Sequence, residues 1–98
     1  MTIQKTRDQN RLTLALYGRL DTITTPHLEA ELKTLDAQIC EVVLDLAELC
    51  YLSSWGLRAI ASLKKKLAGH GKLVICHVQK PVMDVFDITG FSDVLSIV

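Results

Sequence analysis

Between Arg11 and Tyr17 apolar and polar positions alternate, with Leu12, Leu14 and Leu16 set against Arg11, Thr13 and Ala15. A period of two predicts a strand with one buried face, and Gly18 predicts its end. Thr2 to Asp8 alternates less clearly and is expected to pair with it as a hairpin through Gln9-Asn10. The period then changes. Thr24-Thr25-Pro26 reads as a helix start, a hydroxyl N-cap with proline near the first turn, and Leu28, Leu32 and Leu35 fall on one face beyond it. Glu41 to Leu46 is almost wholly apolar, which predicts a short strand buried on both faces. A second helix is expected from Ser54 to about Ala68, with an inner stripe of Leu57, Ile60, Ala61, Lys64 and Leu67, the lysine burying its stem and keeping its amine wet. Lys64 to Lys66 sit where the helix dipole favours cations, and Gly69 supplies a left-handed stop. Lys72 to His77 predicts another strand. Pro81 opens a third helix using Val82, Val85 and Phe86 and closed by Gly90, and Val94 to Val98 suits a last short strand. The order β, β, α, β, α, β, α, β implies right-handed crossovers and a largely parallel sheet, made mixed by the first hairpin.

The expected fold class is therefore α/β, a mixed four- to five-stranded sheet with about three helices packed on it. The 98 residues suffice for one domain, 1–98, because two cores cannot be built from so little chain. A hydrophobic content of 49% supplies that core well. Lys and Arg total 11 and Asp and Glu total 11, so charge gives no reason to expect nucleic acid or an anionic membrane as partner. Aromatics at 5% argue against a base-stacking platform. No apolar run is long enough to span a bilayer, and Met1 to Lys5 is not followed by an apolar region of signal-peptide length, so a cytoplasmic location is expected. Cys40, Cys50 and Cys76 are odd in number with no CxxC spacing, which reads as reduced thiols.

Chemistry concentrates where Cys50-Tyr51-Leu52-Ser53-Ser54-Trp55-Gly56-Leu57 enters the second helix. Regulators of α/β sheets favour loops outside the carboxyl ends of strands. The first N–H groups of a helix lack partners within it and carry the positive end of its dipole. An anion there gains roughly 0.3–1 kcal/mol, so a phosphoryl group on Ser54 suits the fold while changing the surface that a partner touches. Ser53 or Ser54 can equally be a plain N-cap, and a capping serine can also be an acceptor. Trp55 is either a partner anchor or a ring packed on a neighbouring loop, and Arg58 either contacts an anion or stays solvated. His27, His70 and His77 are present, but no Gly-x-Ser-x-Gly elbow is, so nucleophilic catalysis is not expected. Cys76 and His77, adjacent on a predicted strand, are expected to point to opposite faces and share no metal. Asp21 and Asp45 are expected to tie loops through hydrogen bonds, because nothing collects three hard ligands around them. No glycine-rich phosphate loop marks a tight nucleotide site, and no cofactor or metal is expected.

Gly18-Arg19-Leu20-Asp21, then Thr25 and Leu28-Glu29, then Val43-Leu44-Asp45-Leu46, then Tyr51 to Leu57, in this order and spacing, resemble the STAS domain. Gly71 to Ile75 and the segment from Val82 to Thr89-Gly90-Phe91 are similar to its later strand and helix, so the resemblance covers about the whole chain. Its most specific piece is the hydroxyl-rich loop before Gly56-Leu57. This is the family of bacterial anti-sigma-factor antagonists and of the cytoplasmic tails of sulfate transporters, and it implies a SpoIIAA-like STAS fold. The family's loop usually reads Asp-Ser-Ser-Gly. With Gly56 on the family's glycine, Ser54 falls on the phosphoacceptor, Ser53 on the Asp and Trp55 on the second serine. Ser53 therefore withholds a carboxylate that could orient the hydroxyl or the kinase's metal-nucleotide, and Trp55 puts a large ring at the helix start. The resemblance implies an anti-sigma factor antagonist, not an enzyme, that regulates transcription indirectly. It would bind an anti-sigma factor serine kinase through Asp21, Thr24, Thr25, Ser53, Ser54, Trp55, Arg58 and Ser62, and let go when Ser54, or in second place Ser53, is phosphorylated. The alternative is a STAS subunit that scaffolds a transporter or signalling assembly without a phosphorylation cycle. Nucleotide binding enters by family analogy alone. The family usually continues into one more helix beyond the segment that ends here at Val98.

Overall fold

The computed structural model describes residues 1–98. Strand β1 (Thr2–Asp8) turns at Gln9-Asn10 into β2 (Arg11–Leu20), followed by α1 (Thr25–Lys33), β3 (Glu41–Leu52), α2 (Ser54–Leu67), β4 (Lys72–Cys76), α3 (Lys80–Thr89), a 3₁₀ turn (Phe91–Asp93) and β5 (Ser96–Ile97). The five strands form one sheet in the order β1-β2-β3-β4-β5. β1 and β2 are antiparallel, in register from Thr2 opposite Tyr17 to Asp8 opposite Arg11, and the remaining pairs are parallel. Because each helix links a strand to its next neighbour in one direction, right-handed crossovers lay all three helices on the same face.

The burial pattern agrees with a sheet covered on one side. Leu12, Leu14 and Leu16 of β2, Val42, Leu44 and Leu46 of β3, and Leu73 and Ile75 of β4 are buried. The alternate residues Thr13 and Ala15, Val43 and Asp45, Val74 and Cys76 are only half-buried. The expectation that β3 is buried on both faces is thus corrected: the apolar content of Glu41 to Leu46 serves one covered and one partly open face.

Two strands also run further than their patterns suggest. β2 passes through Gly18, whose φ of +105° an L side chain rarely adopts, and ends at Leu20. β3 has twelve residues instead of six. Its pairing with β2 slips twice, between Ala15 and Tyr17 and again between Gly18 and Arg19, each time with one extra residue on β3. Each bulge re-aims the strand, so the inward positions become Leu46, Leu49 and Leu52, a spacing of three that disguises a strand.

In α2 the buried stripe is Gly56, Leu57, Ala59, Ile60, Leu63 and Leu67, whereas the expected Ala61 and Lys64 are half-buried on its flank. In α3 Val82 and Phe86 are buried and left-handed Gly90 closes the helix. Twenty-two buried apolar residues form one continuous core under the helices. Cys40, Cys50 and Cys76 are free thiols.

Candidate functional site

The ends of β2 and β3 meet the starts of α1 and α2. The Ser53 N–H donates to the Leu20 carbonyl (2.9 Å), fixing the entry of α2 to the end of β2. Ser53 is extended, and its Oγ accepts the Gly56 N–H (3.3 Å), so it is the N-cap. Ser54, the first residue of the helix, is exposed. The two serines, either of which the sequence allowed as the cap, therefore differ: the Ser53 hydroxyl is half-buried and spent on the helix, and Ser54 is exposed. Gly56 is what allows this seat. A Cβ there would lie 2.7 and 2.8 Å from Leu20 Cγ and Cδ2 and 2.8 Å from Leu52 Cδ1.

The loop from β2 into α1 is held by Asp21. Its Oδ1 accepts the N–H groups of Ile23 and Thr24 (3.0 Å each). The Thr24 hydroxyl donates to the Arg19 carbonyl (2.7 Å) and accepts the Asp21 N–H (2.9 Å). Thr24 is the N-cap residue of α1, as expected, but its side chain is committed to the loop and caps nothing. The Thr24 N–H, more than any other group, holds the Asp21 carboxyl below the usual aspartate range, helped by the Ile23 N–H, the Thr24 hydroxyl and Arg19 and opposed by partial desolvation.

Around these anchors stand exposed side chains. Trp55 is 51% exposed and carries the Arg58 guanidinium 4.7 Å from its ring centroid. Tyr51 is 42% exposed beneath Arg19 at 4.1 Å, and Ile23 projects from the α1 entry loop. Trp55 also forms one wall of a cleft of about 300 Å³ with Thr22, Thr25, Pro26 and Glu29. Of the residues singled out from sequence, Asp21, Thr24, Ser53, Ser54, Trp55 and Arg58 gather at this end of the molecule. Ser62 lies further along α2, roughly 12 Å from Ser54 by helix rise, in the groove toward Glu29 and Lys33 of α1. Thr25 is corrected from a surface contact to a buried residue. It is 3% exposed, and its Oγ1 has no hydrogen-bond partner. Ile23 lies in the loop Asp21 to Thr25 that the sequence already assigns to the contact surface, whereas Arg19 and Tyr51 were missed as site residues; the Leu46, Leu49, Leu52 spacing was the signal that β3 continues and turns Tyr51 outward.

A second constellation lies on the half-open face of the sheet. Asp45 and Cys76 are register neighbours on β3 and β4. His77 leaves the strand at φ +58°, a left-handed conformation uncommon outside glycine, and its Nδ1 donates to Asp45 Oδ1 (3.1 Å). The ligand atoms of Asp45, Cys76 and His77 all lie within 4.8 Å of one another. The expectation that Cys76 and His77 face opposite ways is corrected: β4 stops at Cys76, and the φ reversal brings the next side chain back to the same side. Burial first, and then the charge of Asp45, pushes the Cys76 thiol up.

Comparison with known proteins adds three findings. The family description "STAS domain" matches residues 2–98. BtrV of Bordetella bronchiseptica, named as an anti-sigma factor antagonist, is 38% identical over 88 residues, covering 88% of this chain and 76% of that protein. Among solved structures, an anti-sigma factor antagonist from Mycobacterium paratuberculosis superposes with a TM-score of 0.88 at 21% identity, over 98% of this chain and 83% of that one. The Bacillus cell fate determinant SpoIIAA, in its phosphorylated form, does so at 0.77 and 16% identity, over 99% and 91%. No helix is long and apolar enough to cross a membrane.

Proposed function

The chain belongs to the STAS domain family, and from that membership we propose that it is an anti-sigma factor antagonist, a cytoplasmic protein that acts by binding and not by catalysis. Its partner in this reading is an anti-sigma factor with serine kinase activity, and its switch is Ser54. The observation that carries the assignment is the division of labour at the start of α2. Ser53 satisfies an orphan N–H of the helix, which leaves Ser54 exposed at its first position. SpoIIAA, of the same fold, has been solved in phosphorylated form, so a phosphoryl group is compatible with this architecture in that protein.

The contact surface in this reading is the set around Ser54: half-buried Asp21 and Thr24 on the α1 entry loop, half-buried Ser53 with exposed Trp55 and Arg58 at the start of α2, and exposed Ser62 along it. Thr25 lies under that surface and supports it. The ring of Trp55, half-exposed and stacked on Arg58, has the amphipathic build of an interface anchor. A dianion on Ser54 is tolerated by the adjoining helix N-terminus yet repels carboxylates and resists desolvation, so modification releases the partner.

The experiment is intact mass of the protein from its native cells, with peptide mapping of Cys50 to Lys64, alongside binding of Ser54→Asp to the anti-sigma kinase. Phosphate on Ser54 in part of the population and weakened binding by Ser54→Asp are expected. Unmodified Ser54 under growth, starvation and stress, together with full binding by Ser54→Asp, would replace the switch with a constitutive scaffold.

A further inference from the structure

We propose that Asp45, Cys76 and His77 form a binding site for a divalent ion of the zinc type, separate from the Ser54 end of the molecule. Three chemically different donors converge here from two neighbouring strands and the residue that follows one of them, and each is placed by something other than chance rotamers. The β3–β4 register sets Asp45 beside Cys76. The left-handed turn at His77 returns a third side chain to the same side at a conformational cost that the surrounding structure must sustain. The Gln79 amide donates to the Ala47 carbonyl (2.6 Å), clamping the segment after β4 to the bulged stretch of β3 just past Asp45.

The dimensions suit a small ion. Tetrahedral zinc with Zn–N and Zn–O bonds of about 2.0–2.1 Å and Zn–S of about 2.3 Å separates neighbouring ligand atoms by roughly 3.3–3.6 Å. His77 Nδ1 and Asp45 Oδ1 are already 3.1 Å apart, and no pair of the three exceeds 4.8 Å. Small rotations of two half-buried side chains and one exposed one close that gap. The metal takes the place of the proton that now joins imidazole and carboxylate, that proton passing to Nε2 of His77, and the Cys76 thiol releases its own proton to solvent as the sulfur–metal bond forms. A thiolate and an imidazole beside one carboxylate favour zinc or cobalt over magnesium or calcium, which need several hard oxygens. Three protein ligands leave the fourth tetrahedral position to water or to a side chain from a partner. By strand rise the site lies roughly 20 Å from the end of β3 and so from Ser54, which separates metal occupancy from phosphorylation.

The test uses a Cys40→Ser/Cys50→Ser variant of the full chain, in which Cys76 is the only thiol. Titration with Co²⁺ should give a thiolate-to-cobalt charge-transfer band saturating at one equivalent, with the d–d intensity of a tetrahedral ion, and Zn²⁺ should displace it. Adding His77→Ala or Asp45→Asn should weaken binding at least about 100-fold, more than the loss of a supporting partner costs a metal site. No band, or a band equally tight without His77 and Asp45, overturns the site. If circular dichroism shows the double variant unfolded, the unsubstituted protein is titrated against Cys76→Ser, and a band surviving that change overturns it equally.

Discussion

The end that carries Ser54 and the face that carries Asp45, Cys76 and His77 commit their polar groups to different degrees. At the Ser54 end nearly every anchoring atom is used: Ser53 caps α2, Asp21 gathers the N–H groups of its loop, and Thr24 binds back to Arg19. What remains exposed there, Ser54, Trp55 and Arg58, is displayed on a backbone already satisfied. On the sheet face three donors crowd together: Asp45 Oδ1 accepts the Ala47 N–H (3.1 Å), and the hydrogen bond between His77 and Asp45 is the one direct tie among the three. A surface built to meet a partner spends its hydrogen bonds on its own shape. The sheet face uses one carboxylate oxygen to set its geometry and leaves the Cys76 thiol without a hydrogen bond.

The Ser54 end is therefore the place where shape should be costly to disturb. Gly56→Ala forces a Cβ within 2.8 Å of buried Leu20 and Leu52 atoms, including the branching Cγ of Leu20, which cannot swing aside as a side-chain tip could. Overpacking of this kind costs about 1–3 kcal/mol. For a domain of this size that lowers the thermal midpoint by roughly 4–8 °C per kcal/mol. Urea unfolding monitored by Trp55 fluorescence would measure it, and an unchanged midpoint would mean that α2 can lift off the sheet without loss.

A smaller effect separates the two serines. Ser53→Ala removes a capping oxygen and should destabilise the fold by about 1 kcal/mol. Ser54→Ala removes an exposed hydroxyl and should stay within about 0.5 kcal/mol of the parent. Equal effects from the two would dissolve the division between cap and acceptor.

How legible each region was in the chain follows the same divide. The hairpin, the helix starts at Thr25 and Ser54 and the closing Gly90 rest on signals within a few residues, and each stands where the spacing put it. The loop of hydroxyls before Gly56 was legible for the same reason, though which serine caps was not, because both sit one step from the helix and only the backbone path decides. The continuation of β3 to Leu52 was hidden by two bulges that turned a period of two into one of three. Burial of Thr25 depends on how α1 meets α2, which no local pattern encodes. The meeting of Asp45 with Cys76 and His77 needs the register of strands 31 residues apart and one left-handed residue, and alternation along a strand pointed the other way.

The smallest predicted effect is in acid. The folded carboxyl of Asp21 sits below the ordinary aspartate range because N–H groups of Thr24 and Ile23 bind its charged form. Its contribution is thus complete above the pKa of an unfolded aspartate and is lost as pH falls through that value toward the lower folded one. Asp36 has the same sign, through the Gln38 N–H first and the Arg7 side chain second. Both groups are solvent-accessible, so each contributes a shallow slope and not a cliff. Asp21→Asn should flatten part of the loss of stability in acid while leaving the slope from Asp36, which Asp36→Asn then removes. Denaturant midpoints measured from neutral pH downward would show it. If Asp21→Asn leaves the acid slope as steep as in the parent, the carboxylate is not what holds the α1 entry loop, and the ordered frame around Ser54 would rest on the Ser53 cap, the Gly56 contact and the hydrogen bonds from Ser53 to Leu20 and from Thr24 to Arg19.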